Sequence, residues 1–180
     1  LIVNATYGQV NSNVSFALAS VQRIVANLEG GDDSLKVAAK IRAILFVDAG
    51  DGNDKITAGG GPAVIVGGEG NDLLYGGGSR DVLIGGGGRD QLWGYGASDL
   101  LIAGRTSDDD NAEALLAVLT EWKSSRAIGT RISNVRNGTG PVLGGTGVFL
   151  QPQATTFDDG EADLVMGGGD SDWFQLESGL

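Results

Sequence analysis

The sequence of 180 residues has 23 acidic and 12 basic side chains, a net charge of -11, 32 glycines, and no cysteine or histidine. This composition excludes disulfides, thiolate nucleophiles, imidazole-based zinc sites and Ser-His-Asp triads, and its negative charge argues against a nucleic-acid partner. No apolar run approaches the roughly 20 residues of a membrane span, so no membrane insertion is expected.

Residues 1–48 lack a glycine repeat but contain four strand-like runs: Val14–Leu18, Arg23–Ala26, Leu35–Val37 and Ile44–Val47. We interpret them as irregular N-terminal β-solenoid rungs, with a separate small β-cap as the alternative. Asp33 resembles the aspartate of an early repeat, but its step to Asp54 is longer than two later repeats, which argues against a metal site there. Because the chain starts at Leu1 rather than Met, we expect a processed product or part of a longer chain, any signal peptide having been removed.

Residues 49–108 carry a strict nine-residue repeat, and we call the position of its aspartate the slot. The slots are Asp54, Asp72, Asp81, Asp90, Asp99 and Asp108, with Ala63 at the one that lacks a carboxylate. Glycines precede each slot, as expected for turns with positive φ and close backbone approach. The second residue after each slot is predicted to point inward: Ile56, Ile65, Leu74, Leu83, Leu92 and Leu101.

Two repeats make one coil of a flattened solenoid, so every second slot stacks on the same edge. One edge carries Asp54, Asp72, Asp90 and Asp108, and the other carries Ala63, Asp81 and Asp99. Arg80 and Arg89 precede slots, and we interpret both as solvated.

Residues 109–138 interrupt this pattern with a predicted helical insertion. Asp110 and Glu113 form a capping box for a first helix with Leu115, Leu119 and Trp122 on its apolar face. A second helix is predicted over residues 125–137 with Gly138 as its C-terminal cap.

Residues 139–180 are predicted to contain a connector, short strands at Val148–Leu150 and Thr155–Phe157, and resumed rungs with slots Asp163 and Asp172. If the roll continues across the insertion, Asp163 would follow Asp99 and Asp172 would follow Asp108. The fold class is therefore all-β, a right-handed parallel β-roll with a two-helix insertion near the C-terminus.

One sheet is predicted to be apolar on its outer face, where the first and third residues of each strand point. That face carries Val64, Val66, Val82, Ile84, Leu100 and Ile102, continued by Leu164 and Met166. The other sheet carries the outward residues Lys55, Thr57, Leu73, Tyr75, Gln91, Trp93, Trp173 and Gln175. Because a monomer rarely exposes so continuous an apolar strip, we expect the helical insertion to cover the first face, with another molecule as the alternative.

Stacked carboxylates about 4.8 Å apart repel one another, so a cation must neutralise them. Carboxylates and backbone carbonyls together form an all-oxygen shell, which favours calcium over magnesium.

The runs GGEGNDLLY, GGGSRDVLI and GGGGRDQLW resemble the calcium-binding nonapeptide of RTX-type (hemolysin-type) proteins. The tail, from EALLAVLTEWKSS to GGGDSDWF, resembles a C-terminal module of large secreted or surface proteins, notably of planctomycetes.

The RTX resemblance implies ions between turns that lie two repeats apart, held by two aspartates and by backbone carbonyls. The first set is Gly50, Gly52 and Asp54 with Gly67, Glu69 and Asp72; the second is Gly68, Gly70 and Asp72 with Gly85, Gly87 and Asp90. The third set is Gly86, Gly88 and Asp90 with Ala103, Arg105 and Asp108; the fourth is Gly77, Ser79 and Asp81 with Gly94, Gly96 and Asp99. Further sites at Asp163 and Asp172 would bring the total to about four to six Ca²⁺ ions, and the bridge from Ala63 to Asp81 is expected to be empty.

These observations favour a non-enzymatic calcium-binding structural module of a secreted or cell-surface protein. The alternative is a calcium-dependent adhesin or a self-assembling extracellular filament subunit. Other domains of a larger protein or further copies of the chain are the expected partners besides calcium. A β-helix enzyme is disfavoured because histidine is absent and the basic residues are scattered.

Overall fold

Two parallel sheets form the body of the protein in a computed structural model that describes residues 2–7, 10–15, 21–145, 148–151 and 155–175. The seven-stranded sheet has the order β14 (Leu164–Gly168), β10 (Gln91–Tyr95), β8 (Leu73–Gly77), β6 (Lys55–Thr57), β4 (Ser34–Lys36), β1 (Ile2–Tyr7), β2 (Val10–Ser15). The six-stranded sheet has the order β15 (Trp173–Gln175), β11 (Leu100–Ile102), β9 (Val82–Gly87), β7 (Ala63–Glu69), β5 (Ile44–Asp51), β3 (Arg23–Asn27). From β3 to β11 successive strands alternate between the sheets, and neighbours within each sheet are parallel. This confirms the parallel β-solenoid.

The interior lies between the two sheets and consists of the middle residues of the strands. All six residues predicted to point inward, Ile56, Ile65, Leu74, Leu83, Leu92 and Leu101, are 0% exposed. Each buried aliphatic side chain of this size contributes about 1.5 to 3 kcal/mol of transfer free energy. The aliphatic position of the repeat therefore forms the core.

Residues 23–48 form rungs of the solenoid, as predicted, because β3 pairs in parallel with β5 and β4 with β6. Strands β1 and β2 differ: they form an antiparallel hairpin, and β1 joins β4 antiparallel at the sheet edge. Both interpretations of the N-terminal segment thus hold in part. Strand β2 ends at Ser15, so residues 16–18 of the first predicted run lie outside the described residues.

The insertion contains α1 (Ala112–Trp122), α2 (Ile128–Asn137) and the short α3 (Gly140–Leu143). The predicted capping box is wrong by one residue: Asn111 caps α1, its Oδ1 accepting from the N–H of Ala114 at 3.1 Å. Asp110 cannot serve because the Asn111 N–H bonds the carbonyl of Asp108, which closes a turn ahead of the helix. Within the described residues no helix is long and apolar enough to cross a membrane.

The segment after α1 matches the prediction in part. The C-terminal cap of α2 is Gly138, with φ of 59°, as predicted. Residues 148–150 form no strand, since the Leu150 N–H bonds the α2 carbonyl of Val135 instead. The second predicted strand exists as β13 (Thr156–Phe157), which pairs antiparallel with β12 (Arg105–Thr106).

The helices cover the apolar outer face of the six-stranded sheet, as predicted. Val64, Val66, Val82, Ile84, Leu100 and Ile102 share one buried cluster with Leu115, Leu119 and Trp122 of α1. The indole N–H of Trp122 also donates to the carbonyl of Ser98 at 2.8 Å, which fixes the helix over the sheet.

The last rungs join the opposite sheets from those predicted. Strand β14 pairs with β10, so Leu164 and Met166 continue the partly polar outer face and are each 45% exposed. Trp173 of β15 lies beside Leu100, and its ring centroid is 5.9 Å from that of Trp122. The chain leaves the roll soon after β11, so β14, the first strand that rejoins the roll after the insertion, takes the next place in the seven-stranded sheet.

Candidate metal sites

The glycine turns on one edge of the roll share an alternating backbone conformation. Their second and fourth residues have positive φ: 96° and 141° at Gly50 and Gly52, 106° and 123° at Gly68 and Gly70. Successive turns approach so closely that a Cβ built on Gly68 would lie 2.0 Å from the carbonyl oxygen of Gly50. Only glycine fits such a position, and the carbonyl oxygens of neighbouring coils are brought together there.

The slot aspartates form two ladders that run along the two edges of the roll. In the first ladder, the N–H of Asp54 donates to Oδ1 of Asp72 and that of Asp72 to Oδ1 of Asp90, both at 2.8 Å. In the second, the N–H of Asp81 donates to Oδ1 of Asp99 at 2.9 Å. One oxygen of each later carboxylate is therefore satisfied by the coil before it.

The other oxygen of each carboxylate has no partner among the described residues. Oδ2 is buried without a hydrogen bond in Asp33, Asp54, Asp72, Asp81, Asp90 and Asp99. These side chains are 0 to 5% exposed, and none of the four ion pairs found among the described residues involves them. A buried carboxylate without a counter-charge is costly, so these oxygens require a cation or a proton.

Burial strongly raises the pKa values of the aspartates in both ladders. Desolvation raises the pKa of Asp54 and Asp72 to about 6, that of Asp81 and Asp90 to about 7, and that of Asp99 to about 8. Neighbouring slots raise the pKa further at most of these positions, and the hydrogen bond from the preceding coil lowers it. A divalent cation would relieve both the desolvation and the repulsion.

Carbonyl oxygens converge on the same spaces as the unpartnered carboxylate oxygens. A Cβ built on Gly67 would lie 2.3 Å from Oδ2 of Asp72 and 2.4 Å from the carbonyl oxygen of Gly85. The other ladder repeats this at Gly94, where Oδ2 of Asp99 lies at 2.3 Å and the carbonyl oxygen of Gly167 at 2.6 Å. The missing side chains thus leave a cradle of oxygen atoms, the donor set that calcium prefers.

Among the described residues, no group of three or more His, Cys, Asp or Glu side chains is placed so that it could hold a metal ion by itself. Metal binding here therefore depends on pairs of slot carboxylates completed by backbone carbonyls.

The first, second and fourth predicted ligand sets are brought into register. Strand pairing places Gly50 opposite Gly68 and Asp51 opposite Glu69, and continues to Gly86 and Gly87. On the second edge, Gly77 pairs with Tyr95. Metal binding by these three sets stays a prediction.

The third predicted set is only partly assembled. Ala103 stays in the roll, and its carbonyl oxygen lies 2.2 Å from a Cβ built on Gly85. Asp108 does not stack on Asp90, because the chain has turned into β12, and Arg105 forms an ion pair with Glu69 instead. The place of Asp108 is taken by Asp163, whose Oδ1 accepts the N–H of Asp90 at 2.8 Å.

The same exchange corrects the predicted partners of the last slots. Asp163 follows Asp90 rather than Asp99, and Asp172 follows Asp99, with a hydrogen bond of 2.8 Å, rather than Asp108. One turn of the first edge is consequently composite, since Ala103 comes before the insertion and Asp163 after it.

The corner of the roll around the Ala63 slot differs from the other corners. The N–H of Ala63 donates to Oδ1 of Asp81 at 2.7 Å, so the ladder bond is kept without a second carboxylate. The guanidinium of Arg42 donates to the carbonyl of Gly60 at 2.7 Å, and the Ser79 hydroxyl donates to the same oxygen at 2.8 Å. The exposed Arg42 therefore places its positive charge at this corner, and the absence of a metal between Ala63 and Asp81 stays a prediction.

Two features at the position before the slots were not predicted from the sequence. Asp32, Asn53 and Asn71 form an exposed ladder: Oδ1 of Asp32 accepts the backbone and side-chain N–H groups of Asn53, and Oδ1 of Asn53 accepts those of Asn71. Recurrence of asparagine two repeats apart, at Asn53 and Asn71, was the available signal. Arg80 is not merely solvated, since it donates to the carbonyl of Ser124 at 2.7 Å, whereas Arg89 forms an exposed pair with Glu161 at 3.2 Å.

Comparison with known proteins gives one match. The family model described as RTX calcium-binding nonapeptide repeat (4 copies) matches residues 46–73, 63–92 and 75–109. No curated protein and no solved structure matches the chain. The match supports the RTX family for the repeat segment, and the resemblance of the tail to a planctomycete module stays a prediction.

Proposed function

Because residues 46–109 match RTX calcium-binding repeats, we propose that this chain is a calcium-dependent structural module of a secreted or cell-surface protein. Calcium bound between stacked coils would fold the roll and make it rigid. The observation that carries the proposal is the pair of ladders with buried, unpartnered Oδ2 atoms facing backbone carbonyls.

Five stacked aspartate pairs among the repeats could each hold one ion. They are Asp54 with Asp72, Asp72 with Asp90, Asp90 with Asp163, Asp81 with Asp99, and Asp99 with Asp172. Each ion would place two positive charges between two carboxylates and accept carbonyl oxygens from both coils.

The proposed location follows from calcium supply. Extracellular calcium modules bind with dissociation constants on the order of 10⁻⁴ to 10⁻³ M, far above cytosolic calcium. RTX repeat proteins are typically secreted, which agrees with this requirement.

A structural rather than catalytic role suits the chemistry of the ladders. Their aspartates are buried within the corners of the roll, and the chain has no histidine or cysteine to act as base or nucleophile. The alternative, an adhesin or filament subunit, stays a prediction; the exposed Leu164, Met166 and Phe174 of the last described rungs favour it.

Asp72→Asn tests the proposal, because Asp72 belongs to two of the pairs. Asparagine keeps an oxygen that can accept the N–H of Asp54, so the ladder bond survives while the charge is lost. We expect the variant to bind two calcium ions fewer and to lose about 3 kcal/mol of calcium-dependent stabilisation at calcium tenfold above the dissociation constant.

Asp51→Asn is the matched control, since Asp51 is exposed and lies in the same segment. Calcium stoichiometry by calorimetry and denaturant unfolding with and without calcium measure both effects. Equal ion counts in Asp72→Asn, Asp51→Asn and the unsubstituted chain would refute the proposal.

The calcium-free roll should become more stable as pH falls. Unfolded aspartates have pKa values near 3.9, whereas burial raises those of the ladders to about 6 to 8, so the folded state holds more protons between these limits. This stabilisation is fully present below about pH 4 and is lost as pH rises through 6 to 8. Thermal unfolding of the calcium-stripped protein in calcium-free buffer between pH 4 and 6 measures it, because the calcium-free roll is expected to be unfolded at pH 8. A midpoint that stays constant or increases as pH rises would contradict the buried ladders.

A further inference from the structure

The turn at residues 28–33 has the backbone of a repeat turn although it lies before the matched repeats. Its second and fourth residues, Glu29 and Gly31, have φ of 67° and 114°, the same alternation as Gly50 and Gly52. The N–H of Gly31 bonds the carbonyl of Asp51 at 2.7 Å, and that of Gly52 bonds the carbonyl of Glu69 at the same distance. The earlier turn thus stacks on residues 49–54 as that turn stacks on the next.

The longer step from Asp33 to Asp54 does not disturb this edge. Leu35 pairs with Ile56, a step of the same length, whereas Leu45 pairs with Ala63, a step of two ordinary repeats. The three extra residues of this coil must therefore lie between these pairs, in the opposite corner at residues 37–43. That is the corner where Arg42 donates to the carbonyl of Gly60.

Asp33 continues the first ladder. Its N–H donates to Oδ1 of Asp54 at 2.7 Å, as that of Asp54 does to Asp72 at 2.8 Å. Asp33 and Asp54 are 5% and 1% exposed, and Oδ2 of each is buried without a hydrogen bond. Each of these two stacked carboxylates therefore has one unpartnered oxygen, and the turns beside them have a backbone arranged as in the repeats.

The ion pairs and charged neighbours found among the described residues do not neutralise the carboxylates of Asp33 and Asp54. Asp32, the adjacent side chain, is also acidic and is engaged with Asn53, and no ion pair among the described residues reaches Asp33 or Asp54. The carbonyl of Glu29 lies 1.8 Å from a Cβ built on Gly50, and that of Gly31 lies 2.2 Å from one built on Gly52. These distances match the 2.0 Å found at the corresponding glycines of the next pair of coils, Gly68 and Gly70.

We propose that Asp33 and Asp54 hold a further calcium ion, together with carbonyls of the turns at 28–33 and 49–54. The inference rests on the proposed calcium-binding function and extends it beyond the matched repeats. This site fastens the irregular coil of β3 and β4 to the regular roll. The first ladder then holds four ions, one each at Asp33 with Asp54, Asp54 with Asp72, Asp72 with Asp90, and Asp90 with Asp163.

Asp33→Asn is the decisive variant, and Asp32→Asn is its matched control. Both remove one charge from adjacent residues, and asparagine at position 32 can still accept from Asn53, as Asn53 itself does from Asn71. Calcium per folded chain, counted by native mass spectrometry at saturating calcium, should fall by one in Asp33→Asn and stay unchanged in Asp32→Asn. Asp33→Ala should give the same count as Asp33→Asn.

The outcomes separate this inference from the proposed function. An unchanged count in Asp33→Asn, alongside a loss in Asp72→Asn, would overturn only the additional site. An unsubstituted chain that binds no calcium would overturn both. Failure of both Asp33→Asn and Asp33→Ala to fold at saturating calcium would also overturn the additional site. Loss of one calcium site should leave the other aspartate pairs able to bind calcium and fold the roll.

Discussion

Removing calcium with EGTA at pH 8, where the ladder aspartates have lost their protons, should unfold the repeat segment and abolish most of its β-sheet circular dichroism signal. Without the ion, stacked carboxylates about 4.8 Å apart repel by roughly 1 to 3 kcal/mol per neighbouring pair, or bind protons. Each independent site contributes about 1.4 kcal/mol when calcium is tenfold above its dissociation constant, so five sites contribute about 7 kcal/mol. Typical domains have a total stability of only about 5 to 15 kcal/mol.

A calcium titration after EGTA treatment should restore the signal, and magnesium at the same concentration should not. Magnesium demands near-octahedral geometry and retains water, which a cradle of carbonyls and carboxylates does not provide. A β-sheet signal that EGTA leaves unchanged at pH 8 would contradict calcium-dependent folding.

Gly68→Ala should strongly destabilise the roll even in saturating calcium. The residue has φ of 106°, and its new Cβ would lie 2.0 Å from the carbonyl oxygen of Gly50 and 2.8 Å from the carbonyl carbon. Backbone strain and overpacking together should cost about 3 to 6 kcal/mol, and the neighbouring carbonyls would be pushed out of position.

Gly78→Ala provides the control because nothing lies within 4 Å of its Cβ and its φ is not positive. Its stability should stay within about 1 kcal/mol of the unsubstituted chain. Denaturant midpoints in saturating calcium compare the two variants, and similar midpoints would show that the close approach of the turns is not required.

The nine-residue period predicts the roll because every coil has the same arrangement of glycine turn, aspartate and inward aliphatic residue. Ile56 and Leu74 fill the interior, and Asp72 and Asp90 stack at an edge, for the same local reasons of turn conformation and alternation. The outer apolar face of β7 and β9 likewise predicts its helical cover.

The nine-residue period could not show which strands pair with each other across the insertion. Residues 103–108 fit the repeat, yet beyond Ala103 and Gly104, whose carbonyls accept the N–H of Gly86, the antiparallel pair of β12 and β13 diverts the chain. Whether Asp108 or Asp163 stacks on Asp90 depends on where the insertion begins, and that is decided by tertiary packing.

At Asp33 the sequence prediction failed in the opposite direction. The number of residues between Asp33 and Asp54 argued against a metal site, but the fold stacks Asp33 on Asp54. Extra residues in one corner of a coil do not alter the other corner, so spacing along the chain is a poor measure of stacking when the insertion is local. The non-glycine Glu29 at positive φ also hides the turn from a glycine-based pattern.

Calcium between stacked aspartates should be detected by a calorimetric calcium titration of the unsubstituted chain. We expect saturable binding of five ions at the repeat pairs and a sixth at Asp33 and Asp54. Absence of saturable binding up to about 10 mM calcium, tenfold above the weakest extracellular modules, would contradict it.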